Sequence, residues 1–244
     1  MRVNPALKFV VLALLLLLVF FQRSMAFTWI MIGCNGLLLM LGSGFKWRRL
    51  LLFMIPIALS ALSSSLGLLL FGRGQAVVWQ WGIVKISEES IAAAQLLGSK
   101  ALVIGIVSLL LLLTTPPVLL LYSFMQQLRM PAKYMYAAMA AIRMIPMIIE
   151  EVQIRSRALK VRRVTYPRGP RGLFRRLQLY TVPLVAQSIR RAQRVAVAME
   201  AKQFQLERAR TYYYVTGYSR LDLLLLGYAA GILLLAGLWI GGRI

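Results

Sequence analysis

The 244-residue chain is 60% hydrophobic, with a mean hydropathy of +0.73 and a net charge of +22 from 29 basic and 7 acidic side chains. A soluble domain of this length needs far more polar surface, so the composition excludes one. It has no His and a single Cys, Cys34, which removes an internal disulfide, a thiolate metal site and every Ser–His or Cys–His nucleophile pair.

In chain order, Asn4-Pro5…Lys8 opens into an apolar run with no small-x-small cleavage site after it, so the run reads as a retained first span, Pro5 to about Phe21. The second span, Ala26–Leu41, is interrupted by Asn35 and glycines, a composition suited to close packing. Lys46-Trp47-Arg48-Arg49 precedes the third span, Leu50–Phe71, which contains Pro56 and the serines Ser60, Ser63, Ser64 and Ser65. Residues 72–90 have strand or loop character, around Val77-Val78-Trp79 and Ile83-Val84-Lys85-Ile86, and carry Glu88 and Glu89. Charge asymmetry places this loop outside and Lys46–Arg49, with everything after Thr114, on the cytoplasmic side. In the fourth span, Ile91–Leu113, Lys100 is expected to snorkel or to face the protein interior rather than to line a path for an ion. A fifth span, Leu221–Ile240, carries Asp222 at its start and Gly231, Gly237, Gly241 and Gly242 toward its end.

Between the last two spans, residues 127–220 hold 19 of the 29 basic residues but only 4 of the 7 acids. Nucleic acid, anionic lipid and an acidic protein all attract such a block; commitment of the rest of the chain to a membrane disfavours nucleic acid. Thr114-Thr115-Pro116-Pro117 stops one helix and starts another, and Arg129-Met130-Pro131 marks a further break. Two long amphipathic helices are expected, Ala132–Arg163, bent at Pro146, and Val182–Leu206, joined by the turn-rich linker 166–172. Their apolar stripes are Ile142, Ile145, Ile149, Val152 and Leu159, and Val185, Ile189, Ala192, Ala196 and Met199, with arginines beside them. Ala186, Ala192, Ala196 and Ala198 suit a close crossing, in an X-like or V-like pair along the cytoplasmic membrane surface. The chain therefore divides into N-terminal spans (1–113), a cytoplasmic helical domain (114–220) and a C-terminal span (221–244).

No catalytic constellation emerges. Glu88/Glu89 and Glu150/Glu151 are sequence neighbours, which do not face each other on a helix. Gly98-Ser99-Lys100 lacks the leading glycine of a phosphate-binding loop. A charged surface without chemistry reads as a docking surface.

The block resembles the T component of energy-coupling factor (ECF) transporters, the EcfT/CbiQ-like family, over nearly the whole chain and most clearly from Thr114 to Asp222. The resemblance rests on Thr114-Thr115-Pro116-Pro117, on Ile142-Arg143-Met144-Ile145-Pro146 followed by Glu150-Glu151, and on Arg191–Glu200 with its Ala198-Met199-Glu200-Ala201 ending. Arg210-Thr211-Tyr212, Asp222 and Asn4-Pro5…Lys8 also fit. The family carries two X-Arg-X motifs, commonly Ala-Arg-Gly, each ending a coupling helix. Here they fall at Val161-Arg162-Arg163 and Ala201-Lys202-Gln203, so Lys202 replaces Arg, and Arg163 and Gln203 replace Gly. Lys keeps the charge but loses the bidentate fork.

The resemblance implies an all-α membrane protein of about five spans in the bacterial cell membrane, without catalysis or a cofactor of its own. Its partners would be two ATP-binding ABC subunits and a small substrate-binding membrane subunit for a vitamin, vitamin precursor or transition-metal ion. Val161, Arg162, Arg163, Ala201, Lys202 and Gln203 would contact the ATPases, supported by Arg143, Pro146, Glu150, Glu151, Arg194 and Glu200. The alternative is a conventional ABC permease with its own substrate path, for which a single docking loop and more polar spans are expected.

Overall fold

A computed structural model describes residues 3–44, 47–72, 77–81, 84–165, 169–204, 212 and 214–241. Lys46, linker residues 166–168, the expected helix end at Leu206, Arg210, Thr211 and Gly242 lie outside them. The chain forms two compact units, one from residues 1–123 and 216–244, the other from residues 124–215.

The first unit is built from helices α1 (Pro5–Phe21), α2 (Met25–Ser43), α3 (Trp47–Phe71), α4 (Glu88–Thr114) and α8 (Arg220–Gly241), with α5 (Pro117–Gln127) leading out of it. Helices form because apolar runs of this length have no other way to satisfy their backbone inside lipid. Four of them are long and apolar enough to cross a membrane: Met25–Gly42, Trp47–Phe71, Glu88–Thr114 and Arg220–Leu238. With 17 residues, α1 reaches about 26 Å, somewhat short of the ~30 Å hydrocarbon layer. The protein is thus an all-α, multi-pass membrane protein, with one small addition. Strands β1 (Val77–Trp81) and β2 (Val84–Ser87) form an antiparallel hairpin in which Gln80 pairs with Lys85 and Trp81 with Val84. The hairpin delivers Ser87 to the start of α4, where Ser87 and Ser90 form a reciprocal capping box.

Helix α4 is central, packing against α1, α2 and α3, while α8 touches α1 and α2. Leu12, Leu15, Phe27, Met31, Val103 and Val107 fill the core. Where α3 meets α4, a Cβ on Gly105 would lie 2.2 Å from Ile57 Cγ2, so this close approach requires glycine. The α3 serines Ser60, Ser64 and Ser65 donate back to carbonyls three residues earlier on their own helix. Across α2 and α4, the buried hydroxyls of Thr28 and Ser99 share a 3.1 Å hydrogen bond. Lys100 donates to the Phe20 carbonyl at the end of α1 (3.2 Å), which satisfies an orphan helix carbonyl and accounts for a cation inside an apolar helix.

The polar residues at the helix ends converge. Asp222 Oδ1 accepts from the Asn4 backbone N–H (2.7 Å) and Oδ2 from the Ser219 backbone N–H (2.6 Å), so one carboxylate serves the starts of α1 and α8. The Asn4 side chain caps α1 by accepting from Ala6 N–H (3.2 Å), and buried Lys8 donates to Thr114 at the end of α4. Asp222→Ala would leave one buried and one partly buried N–H group unpartnered and is expected to cost about 2–3 kcal/mol. A lowered melting temperature of the detergent-purified chain would register it; Asp222→Asn, which retains one acceptor, should lose less.

Candidate functional site

The second unit is dominated by α6 (Ala132–Val161) and α7 (Pro170–Ala201). Ala137, Ala138, Ala140 and Ala141 give α6 high helix propensity, and it runs unbroken through Pro146. Helix α7 starts twelve residues earlier than the expected Val182 and ends at Ala201, short of Leu206. Gly169, at φ 92°, and Pro170 in the first turn set the start, and Pro183 is accommodated inside the helix instead of opening it.

The two X-Arg-X positions are placed in the same way at the ends of these helices. Helix α6 ends at Val161 with Arg162 as its cap; helix α7 ends at Ala201 with Lys202 as its cap. At the first end, Arg163 N–H donates to Lys160 O (3.0 Å) and Val164 N–H to Leu159 O (3.2 Å). At the second, Gln203 N–H donates to Glu200 O (2.8 Å) and Phe204 N–H to Met199 O (3.0 Å). Both are therefore Schellman ends, and the residue after the cap is left-handed, Arg163 at φ 48° and Gln203 at φ 53°. This gives a physical reason for the glycine common at the third position of the family motif: it removes the Cβ penalty of that backbone. Here two side-chain-bearing residues occupy the strained position. Arg162 and Lys202 themselves are exposed, each at a helix C-terminus where the macrodipole favours a cation.

Around these ends the other expected residues separate into two groups. Glu151 pairs with Arg191 across α6 and α7 (3.7 Å), with both side chains about one-fifth exposed. Beside that pair a cleft of about 560 Å³ is lined by Glu150, Glu151, Arg155, Arg162 and Arg191. Three guanidinium groups thus face two carboxylates, and Arg155 Nε is buried without a hydrogen-bond partner. Glu200 lines a different groove between the two helices, of about 590 Å³, with Lys133, Tyr136, Ala140, Ala196 and Phe204. Phe204, just past Gln203, packs edge-on against Tyr136 with ring centroids 5.4 Å apart at 89°. Arg143, Pro146 and Arg194 are exposed and line neither cavity.

Sequence reasoning passed over Arg191, Arg155, Tyr136 and Phe204 as site residues. Arg191 carried a signal, since it lies beside the α7 stripe; Tyr136 and Phe204 are 68 positions apart and only folding brings them together. The stripe residues Ile145, Ile149, Val185 and Ile189 are all about half-exposed, and no residue of α6 is buried. The alanines Ala192 and Ala196 face Ala137, Ala140 and Ala141 across the groove.

The left-handed positions yield a direct test. Arg163→Gly and Gln203→Gly should each stabilise the chain by about 0.5–1 kcal/mol, the relieved strain less the backbone entropy of glycine. Thermal unfolding of the detergent-purified variants would show it as a raised midpoint, and the pair should be additive because the two ends share no partner.

Comparison with known proteins bears on what this surface serves. The sequence profile of the CbiQ family, described as cobalt transport protein, matches residues 1–213. The energy-coupling factor transporter transmembrane protein EcfT of Limosilactobacillus fermentum is 28% identical over 234 residues, covering 91% of this chain and 85% of that protein. The protein of the same name from Streptococcus equi subsp. equi is 26% identical over 233 residues, covering 91% and 86%. The chain belongs to the CbiQ family.

Proposed function

We propose that this member of the CbiQ family is the energy-coupling transmembrane subunit of an ECF-type importer. It passes the motion of two ABC ATPases to a small substrate-binding membrane subunit, which selects the cargo: a vitamin, a vitamin precursor or a transition-metal ion. ATP is bound by the ATPases and the basic unit faces the cytoplasm. The observation that carries this reading is the pair of like-built helix ends, each presenting an exposed cation at its cap.

Force entering a membrane protein from a soluble motor needs two stiff levers, each with a charged tip. Helices α6 and α7, of 30 and 32 residues, are such levers. Arg162 and Lys202 at their tips engage carboxylate-lined grooves, one on each ATPase. The cleft next to Arg162, with its excess of guanidinium groups and the unpaired Arg155 Nε, supports contact with an acidic surface. When the ATPases close on ATP, the tips approach and the levers turn about their contact at Glu151–Arg191. The exposed apolar stripes carry the substrate subunit, which reorients as the levers tilt.

Its tips are unequal. The first is exposed from Val161 to Thr165, with Arg163 adding a second cation. The second carries the less directional Lys202 and is held at its base by the Phe204–Tyr136 contact.

Affinity capture of the tagged chain from native membranes tests this role. Wild type should recover two ATPase copies and a small membrane protein. Arg162→Glu/Lys202→Glu should reduce the ATPase recovered at least tenfold, a loss of roughly 1.4 kcal/mol or more. Arg171→Glu/Arg176→Glu, equal in charge change but outside both motifs, should cost less than twofold. Retention of the ATPases by the tip variant would overturn the assignment.

A further inference from the structure

The first unit contains a concavity that coupling does not use. A groove of about 250 Å³ opens between α2, α3 and α4, lined by Gly36, Met40, Trp47, Leu51, Met54 and Ile106 among others, with no charged side chain in its wall. Leu39, Leu50 and Ile106 form a buried floor, whereas Met40, Trp47 and Leu51 are about half-exposed. The space exists because α2 has no side chain at Gly36, where an added Cβ would meet nothing within 4 Å. Directly after Trp47 come Arg48 and Arg49, both exposed.

We propose that this groove holds an acyl chain of an anionic phospholipid whose phosphate is bound by Arg48 and Arg49. All three groove helices are apolar enough to cross the membrane, so hydrocarbon is the medium that meets an open slot in their wall. Apolar lining alone accepts any lipid tail. The headgroup is selected by the two guanidinium groups in the first turn of α3, whose planar forks match phosphate oxygens. That end of α3 lies on the side that charge asymmetry assigns to the cytoplasm, where anionic lipids are drawn to juxtamembrane cations. Trp47, on the rim of the groove and next in sequence to the arginines, has an apolar body and a polar N–H suited to the headgroup boundary. A helix of another protein fits less well, because it would cover Arg48 and Arg49 without supplying the anion they need.

Photocrosslinking of the full chain in lipid bilayers tests the site. Phosphatidylglycerol and phosphatidylcholine with the same photoreactive tail are supplied separately, and the crosslinked peptides are mapped. Crosslinks should fall on residues 36–54 and be roughly thirtyfold stronger with phosphatidylglycerol, as two juxtamembrane arginines at about 1 kcal/mol each imply. Arg48→Gln/Arg49→Gln should bring phosphatidylglycerol down to the phosphatidylcholine level. Gly36→Leu, filling the slot where there is room, should abolish crosslinks from both lipids. Gly231→Leu, at another open position on α8, should change neither and controls for an added side chain. Equal labelling by the two lipids, labelling that survives Gly36→Leu, or capture of a protein helix at residues 36–54 from native membranes would each overturn the proposal.

Discussion

One carboxylate organises the membrane unit. Asp222 meets the backbone N–H of Asn4 and that of Ser219, so two helix beginnings more than two hundred residues apart share a single anion. Helix starts leave N–H groups without partners, and near lipid an unmet N–H costs more than in water. Solving both with one side chain ties α1 to α8. Lys8, reaching Thr114, joins the end of α4 to the same end of α1. With the ends fixed by polar atoms, the middles can be largely apolar, and α4 becomes the helix around which α1, α2 and α3 pack.

The second unit obeys the opposite rule. Helix α6 buries none of its residues, and the described contacts between α6 and α7 include one partly exposed ion pair and small alanine surfaces. Low burial means low local stability, the condition under which an element can be moved by modest forces. Under the coupling role proposed above, a helix that tilts as a lever cannot also be the core of its own domain. The apolar stripes left open on α6 and α7 would be costly in water, which fits surfaces completed by lipid or by another subunit.

The spans were legible in the sequence because about twenty apolar residues have few structural options, and the predicted limits of α1 and α3 differ from the observed ones by at most three residues. Strand or loop character was legible around Val77–Trp79 and Val84–Ile86, which are rich in β-branched and aromatic residues; their pairing as a hairpin was not. The start of α7 was misplaced because Pro183 resembles an opening residue, while the true signal, Gly169-Pro170, lay inside a stretch dense in turn formers. The positions of both helix tips followed from resemblance to the family motif; their left-handed backbone did not, since the usual mark, glycine after the cap, is replaced by Arg163 and Gln203. The Glu151–Arg191 pair and the Tyr136–Phe204 contact depend on two helices meeting, which no local pattern encodes.

That replacement bears on how the two tips differ. Their backbones are alike at the cap, at the left-handed residue and in the two hydrogen bonds that close each helix. Any inequality between them therefore resides in side chains. At the first tip the strained position carries a second positive charge, which strengthens attraction to an acidic groove and adds no rigidity. At the second it carries a neutral amide, and the following Phe204 is packed on α6 instead. One tip is thus rich in charge and exposed; the other is poorer in charge and braced. Under the coupling role proposed above, the first responds mainly to the field of its partner. A push on the second also reaches α6 through the aromatic contact, so the two levers receive one stroke through different linkages.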